Sequence, residues 1–371
     1  MYHRLLKSNI KQRLDSGKAI LLVGPRQVGK TTLIHTFLEE SDYLFLDGDD
    51  PQVRTLLTSP NTQQLKQIIG DHTILFIDEA QRIDGIGITL KIITDQFKHV
   101  QLWVSGSSSF SLNHALNEPL TGRKWQYELY PISWAEYESK HGYLEASQSL
   151  TTRLLYGFYP DVLNNPGDEV EILKNLVDSY LYKDVLSYAE IRKPDILEKL
   201  VKALALQIGS EANTNELAQI VGVDKNTINR YLDILEKGYV IYQLTSYSRN
   251  VRNELKKSKK VYFYDLGVRN MVIGNFKDLS LRQDVGGLWE NFLISERRKH
   301  NAYKMSLSSS YFWRTTQQQE IDYIEESADG LLAYEFKWSP TAKARFPKTF
   351  TNNYDAECKV ISQENFREFV S

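Results

Sequence analysis

A chain of 371 residues and 43.0 kDa is long enough for two or three domains, each with its own core. With 42 % hydrophobic, 25 % charged and 12 % aromatic residues it belongs among ordinary globular proteins and outside the disordered, collagen-like and disulfide-rich classes. The 45 Lys plus Arg nearly balance 47 Asp plus Glu, for a net charge of −2, so contact with nucleic acid or an anionic surface requires a local patch. The single cysteine, Cys358, excludes an intramolecular disulfide or a multi-cysteine metal site and suits a reducing cytoplasm. No stretch reaches the ~18 uncharged apolar residues of a membrane span, and the N-terminal segment lacks the apolar core of a secretory signal.

In chain order, Leu5, Leu6, Ile10 and Leu14 recur at helical spacing and predict an amphipathic helix that leads into a continuous apolar strand over 19–23. Apolar runs at 43–46, 73–77 and 100–104 alternate with helix-length polar segments, the pattern of a parallel sheet covered on both faces. Past Tyr130-Pro131 the patterns turn helical, as over 169–182 and 194–208, so a boundary is expected near residue 135. Residues 214–237 read as two short helices around a turn at Gly222, and β-rich segments at 239–244 and 261–264 then bracket a basic loop, together a winged-helix pattern. A helix over 288–299 and strands over 311–314, 320–325 and 331–336 form a small α/β unit.

Gly24-Pro25-Arg26-Gln27-Val28-Gly29-Lys30-Thr31 fits G-x-x-x-x-G-K-[ST] between a strand and a helix. Such a loop turns its backbone N–H groups toward a β-phosphate and adds the positive end of the following helix. Lys30 is expected on the β/γ oxygens and Thr31 on Mg²⁺, with Thr32 after it also among the nucleotide-binding residues. The strand over 73–77 ends in Asp78-Glu79, as a Walker B element does, with Asp78 in the Mg²⁺ shell and Glu79 orienting the attacking water. The extra strand before it and the glutamate beside Asp78 point to ATP hydrolysis with the chain's own carboxylate base, and away from a nucleotide kinase or small GTPase. Ser105 and Ser107 either touch the γ-phosphate or lytic water or permit a turn. Arg123 is read either as a finger on the γ-phosphate of its own or of a neighbouring subunit in an oligomer, or as a surface salt bridge.

Together with Ile77-Asp-Glu-Ala-Gln81, Ser105-Gly-Ser107, Leu120-Thr-Gly-Arg123, Leu129-Tyr-Pro-Ile-Ser-Trp-Ala-Glu136, Lys260-Val-Tyr-Phe-Tyr-Asp265-Leu-Gly267 and Gly286-Gly-Leu-Trp-Glu290, this loop resembles prokaryotic AAA-superfamily ATPases with a C-terminal domain of unknown function. The likeness runs from residue 1 to beyond residue 340. It implies an AAA-type ATPase, a winged-helix middle section and a C-terminal domain similar to the PD-(D/E)XK nucleases. The expected fold class is therefore α/β, with a P-loop parallel-sheet ATPase domain over 1–135, a helical and winged-helix section over 136–270 and a small α/β nuclease-like domain over 271–371.

On the second helix of the helix-turn-helix, Lys225, Asn226, Asn229 and Arg230 face outward, where side chains reach a major groove. The loop over 249–260 carries Arg249, Arg252, Lys256, Lys257, Lys259 and Lys260 against Glu254 alone, a local charge of +5. Phosphate contacts from it would give salt-sensitive, weakly sequence-selective DNA binding; docking of a protein partner is the competing reading. Glu290 on a helix, Asp322 on a strand and Glu335-Phe-Lys337 on the next strand resemble the E…D…E-x-K signature. Glu335 and Lys337 share a strand face, and the turn around Ala328 brings Asp322 opposite Glu335. With Glu290 these carboxylates would hold Mg²⁺, and Lys337 would steer the water that attacks a phosphodiester. The sequence supports an ATP-hydrolysing protein coupled to a winged helix and this domain. Two alternatives stand beside it: a nucleotide-switched regulatory binding module with an inert C-terminal domain, and an active metal-dependent DNA nuclease.

Overall fold

The computed structural model describes residues 1–107, 119–184, 194–248 and 258–371. They divide into two compact units, residues 1–132 with 237–239, and residues 133–236 with 240–371.

In the first unit five strands, β1 (Ala19–Val23), β2 (Leu44–Asp47), β3 (Ile74–Asp78), β4 (Gln101–Gly106) and β5 (Lys124–Glu128), form one sheet in the order β2-β3-β4-β1-β5. All four pairings are parallel. Helices α1 (Leu6–Lys11), α2 (Lys30–Leu38), α3 (Pro51–Leu57), α4 (Thr62–Ile69) and α5 (Ile86–Gln96) accompany it. Every residue of β1 is buried, as its uninterrupted apolar run demands, and Leu21, Leu75, Ile77 and Val104 share a core with Ile86, Leu90 and Ile93 of α5. The four expected strands lie within a residue or two of the runs that mark them. β5 was not expected, because an edge strand of sequence Lys-Trp-Gln-Tyr-Glu, with only Tyr127 fully buried, carries no apolar run.

The second unit opens with α6 (Trp134–Tyr156, broken at Gly142), α7 (Pro160–Asn164) and α8 (Glu169–Leu176), which continues into a π-helical segment, Val177–Asp184. After α9 (Pro194–Leu206) come α10 (Thr214–Val221) and α11 (Lys225–Lys237). Local chemistry sets the ends of this pair. The Asn213 side chain accepts from the N–H groups of Asn215 and Glu216, Gly222 takes the left-handed conformation at φ +78, and Asp224 accepts from Asn226 N at 2.9 Å and Thr227 N at 3.0 Å.

A six-stranded sheet follows, in the order β11-β10-β9-β8-β6-β7, made of β6 (Ile241–Ser246), β7 (Lys259–Phe263), β8 (Ser309–Arg314), β9 (Glu320–Ser327), β10 (Gly330–Phe336) and β11 (Ala356–Ile361). Helices α12 (Leu266–Ile273), α13 (Val285–Tyr303), α14 (Lys348–Thr351) and α15 (Phe366–Val370) complete the unit. β6 and β7 pair antiparallel as expected. β6 also runs parallel to β8, with Thr245 opposite Tyr311 and Ser246 opposite Phe312. The expected division at 270/271 therefore falls inside one sheet: β6 is an interior strand, and as a separate wing it would leave an edge unpaired. Among the described residues no helix is long and apolar enough to cross a membrane.

Trp134 anchors this unit. It is fully buried, its ring meets Phe158, Phe292 and Phe366 edge-on, and its backbone N–H donates to Glu296 Oε2 at 2.6 Å. Replacing Trp134 with Ala is expected to cost about 3–5 kcal/mol in guanidinium-induced unfolding; a loss below about 1 kcal/mol, the range of surface changes, would show that the ring does not anchor the unit.

Candidate functional site

The loop after β1 is shaped by close backbone approach. A Cβ on Gly24 would lie 2.1 Å from Leu129 O, where Leu129 N donates to Val23 O at 2.8 Å. Gly29, at φ +90, precedes α2 without a side-chain cap, which leaves the first-turn N–H groups to the loop. Pro25 and Val28 are buried, Arg26 and Thr31 half-buried, and Gln27 and Thr32 exposed. Lys30 is buried, and its Nζ donates to Gly24 O at 3.0 Å and Pro25 O at 2.8 Å. Burial lowers the Lys30 pKa to about 8, outweighing the opposite pull of Glu79 and Asp78. Arg4, which no sequence pattern singled out, is buried and donates to Val28 O at 2.7 Å and Tyr130 O at 2.6 Å, so it braces the same loop.

The parallel registers bring the ends of four strands to one sheet edge, since Val23 pairs with Gly106, Ile77 with Val104 and Asp47 with Asp78. Asp78 is the meeting point. Its Oδ2 accepts from Thr31 Oγ1 at 2.8 Å, its Oδ1 accepts from Glu79 N at 3.0 Å, and the Ser105 hydroxyl donates to Oδ1. The Thr31 hydroxyl beside the Asp78 carboxylate is a pair of hard oxygen donors, a set that suits Mg²⁺. Glu79 sits in the left-handed region at φ +46, a cost of order 1–3 kcal/mol that clusters at functional positions. Its Oε2 accepts from Gln81 Nε2 at 2.5 Å and Ser107 Oγ at 3.1 Å, and Gln81 also reaches Ser107 Oγ at 2.9 Å. Ser105 and Ser107 thus each engage a carboxylate of the site. Gln81 enters the sequence reading only as part of the family likeness, with no role of its own, although its place two residues after Glu79 was the available signal.

Within its own chain Arg123 does not lie at the phosphate loop. It lies just before β5, where its carbonyl accepts from Ala19 N at 2.9 Å, at the start of β1 and about 13 Å of strand from the loop that follows Val23. Its Nε donates to Asp95 Oδ1 at 2.6 Å. Within the chain it thus forms a partly exposed salt bridge with Asp95.

On α11, Lys225, Asn226, Asn229 and Arg230 are exposed while Ile228, Tyr231 and Leu232 are buried, as helical spacing required. Arg249, Arg252, Lys256 and Lys257 lie outside the described residues. Lys259 is exposed, but Lys260 is buried and does not belong to a solvent-facing basic patch.

In the second unit Glu290, Glu320 and Asp322 bring carboxylate oxygens within 4.8 Å of one another. Lys260 Nζ donates to Glu290 Oε1 at 2.8 Å and is ion-paired with Glu320. Tyr262 OH donates to Glu290 Oε1 at 2.5 Å, Phe336 N to Asp322 Oδ2 at 2.7 Å and Lys337 Nζ to Glu335 Oε2 at 2.9 Å. Burial pushes Glu290 up to about 7 against the pull of Lys260. Burial also works against the charge of Lys260, yet Glu290, Glu320 and Asp322 hold its pKa above the ordinary range. Glu320 and Lys260 had no place in the E…D…E-x-K pattern.

Comparison with known proteins gives three family matches: an "AAA domain" over residues 16–138 and two domains of unknown function, DUF8612 over 147–279 and DUF4143 over 285–368. The chain is 26 % identical to an uncharacterized protein of Mycobacterium tuberculosis over 90 % of its own length and 73 % of the relative's. It is 25 % identical to an uncharacterized protein of Haemophilus influenzae, over 85 % and 78 % respectively. The solved structure of a Walker-type ATPase of Pyrococcus abyssi is similar with a TM-score of 0.52 at 16 % identity, covering 74 % of this chain and 96 % of that one. Residues 16–138 therefore carry the fold of an AAA-type P-loop ATPase.

A Cβ added to Gly48 would stand 2.5 Å from Glu79 O and 2.9 Å from Asp78 O. Gly48→Ala is expected to destabilise the chain by about 1–3 kcal/mol in chemical unfolding; wild-type stability would show that Glu79 is not held by this contact.

Proposed function

We propose that the chain binds ATP with Mg²⁺ and hydrolyses it, and that this cycle is coupled to a DNA-contacting face on α11. The observation that carries the reading is the convergence of Thr31, Ser105 and the Glu79 backbone on Asp78, beside a loop whose lysine is held among its own carbonyls. Gly24 to Gly29 would surround the β-phosphate with backbone N–H groups, Lys30 would neutralise the β/γ oxygens, and Thr31 and Asp78 would hold the ion. When bound, Mg²⁺ supplies positive charge to the phosphate oxygens. Glu79 would take a proton from water as its oxygen bonds to the γ-phosphorus and the bond to the β–γ bridging oxygen breaks. Gln81 and Ser107 would fix the Glu79 carboxylate for that step, and Ser105 would keep the Asp78 carboxylate aligned.

The DNA reading rests on Lys225, Asn226, Asn229 and Arg230, exposed together on α11. Side chains of this kind make phosphate and base-edge contacts. A second reading, a slow nucleotide-switched module that docks a protein through α11, is favoured where turnover is low and DNA changes nothing. The nuclease reading keeps Glu290, Asp322, Glu335 and Lys337 in one neighbourhood, but one oxygen of each carboxylate already has a donor within the chain.

Three outcomes are expected. In calorimetry and phosphate-release assays Lys30→Ala loses ATP binding, whereas Glu79→Gln keeps binding and loses about 10²–10⁴-fold in turnover; undiminished turnover in either variant would overturn the assignment. Because the Lys30 pKa lies at about 8 and the phosphates favour its charged form, ATP binding takes up a proton as pH rises past that value, and affinity falls there. Calorimetry in two buffers of different ionisation enthalpy reads this uptake, which Lys30→Arg should abolish; equal uptake in both chains contradicts it. Removing Lys225 and Arg230 together should lower the salt slope of duplex DNA binding by about 2, and an unchanged slope would remove α11 from the contact.

A further inference from the structure

The carboxylates of the second unit gather as they would around a divalent cation. Glu290 comes from α13, Glu320 and Asp322 from one face of β9, and Glu335 from β10. An ion of that kind needs oxygens with free lone pairs in its first shell. Here at least one oxygen of each carboxylate is already engaged by a donor of the chain. Lys260 Nζ, on a side chain only 1 % exposed, serves Glu290 and Glu320 together. Tyr262 shares the same Glu290 oxygen, Phe336 N takes Asp322 Oδ2, Lys337 takes Glu335 Oε2 and Arg314 stands 3.5 Å from Glu320 Oε2. A metal entering this set would meet a buried ammonium, and that ammonium can leave only by breaking two ion pairs in a low-dielectric interior. The residues present do not fit the metal that a nuclease-like domain implies.

We infer that Lys260 is the resident cation of this cluster: its ammonium stands where a divalent metal would, and the cluster is a metal-free ionic clamp between α13, the β7–β9 strands and the segment that leads into α10. The last connection is direct. Lys260 and Glu211 form an antiparallel bridge, Ala212 N donates to Lys259 O at 2.7 Å, and Glu211 also accepts from Arg314 at 3.5 Å. The clamp therefore ties the start of the helix-turn-helix to the six-stranded sheet, and it spends the last lysine of the basic run on structure.

The test is a Mn²⁺ titration of the full chain, read by electron paramagnetic resonance of the free ion, with amide hydrogen exchange at Ala212 as a second readout. Wild type and Asp322→Asn are expected to bind Mn²⁺ alike. Lys260→Gln is expected to gain one ion per chain, to lose it again on adding Asp322→Asn, and to exchange Ala212 faster. Loss of a bound ion from wild type on Asp322→Asn would overturn the inference, as would a folded Lys260→Gln chain that gains no ion or leaves Ala212 exchange unchanged. Should Asp322→Asn fail to fold, Glu290→Gln asks the same question of wild type. DNA cleavage by wild type with Mg²⁺ or Mn²⁺, abolished by either carboxylate change, would also overturn it.

Discussion

The nucleotide site depends on one carboxylate. Asp78 is almost completely buried, and a buried polar group is costly unless hydrogen-bond donors meet it. Those donors come from three elements: the first turn of α2, the end of β4 and the chain just past β3. Holding them at hydrogen-bond distance requires parallel strands in register and glycines where backbone presses on backbone. At this site Gly24 against Leu129 and Gly48 against Glu79 are places where a side chain would not fit. The same packing turns Glu79 into a left-handed conformation and delivers its carboxylate to Gln81 and Ser107. The motif residues are thus the visible part of a constraint that extends through the whole sheet edge.

The second unit resolves a similar problem in another way. In the first unit a carboxylate faces neutral hydroxyls and one backbone N–H, so a cation can be added without displacing a charge. In the second, carboxylates from α13, β9 and β10 face Lys260, Lys337 and Arg314, so the positive charge is built in. Two clusters rich in the same residue types therefore have opposite chemistry, and the difference lies in which cation is covalently attached. It also explains why the sheet crosses the expected boundary near residue 270, since β7 brings Lys260 to carboxylates that follow it in the chain.

Much of this was legible in the sequence where the signal is local. An apolar run, a glycine-rich loop and a helix lie next to one another, so the Lys30 loop and the Asp78-Glu79 pair could be placed on their elements. The alternation of Ile228, Tyr231 and Leu232 with Lys225, Asn229 and Arg230 gave both faces of α11. What could not be read depends on partners distant in sequence. Arg123 was assigned by its neighbours, but which end of the sheet it occupies follows from the β1–β5 register. Lys260 looks like one more cation in a basic run until β7 is buried against α13. Glu320 shares a strand face with Asp322 by period-two spacing, so that signal was present, yet the nuclease pattern has no slot for it. Edge strand β5 left no apolar run at all.

The most direct test of the Asp78 constraint is ATP turnover as a function of Mg²⁺ concentration, in wild type and in Asp78→Asn, with folding of the variant checked by circular dichroism. Expected are turnover that requires Mg²⁺ in wild type and, in a folded variant, turnover lower by about 10² or more at every Mg²⁺ concentration. Equal turnover with an unchanged Mg²⁺ requirement in the folded variant would contradict the central role given to this carboxylate.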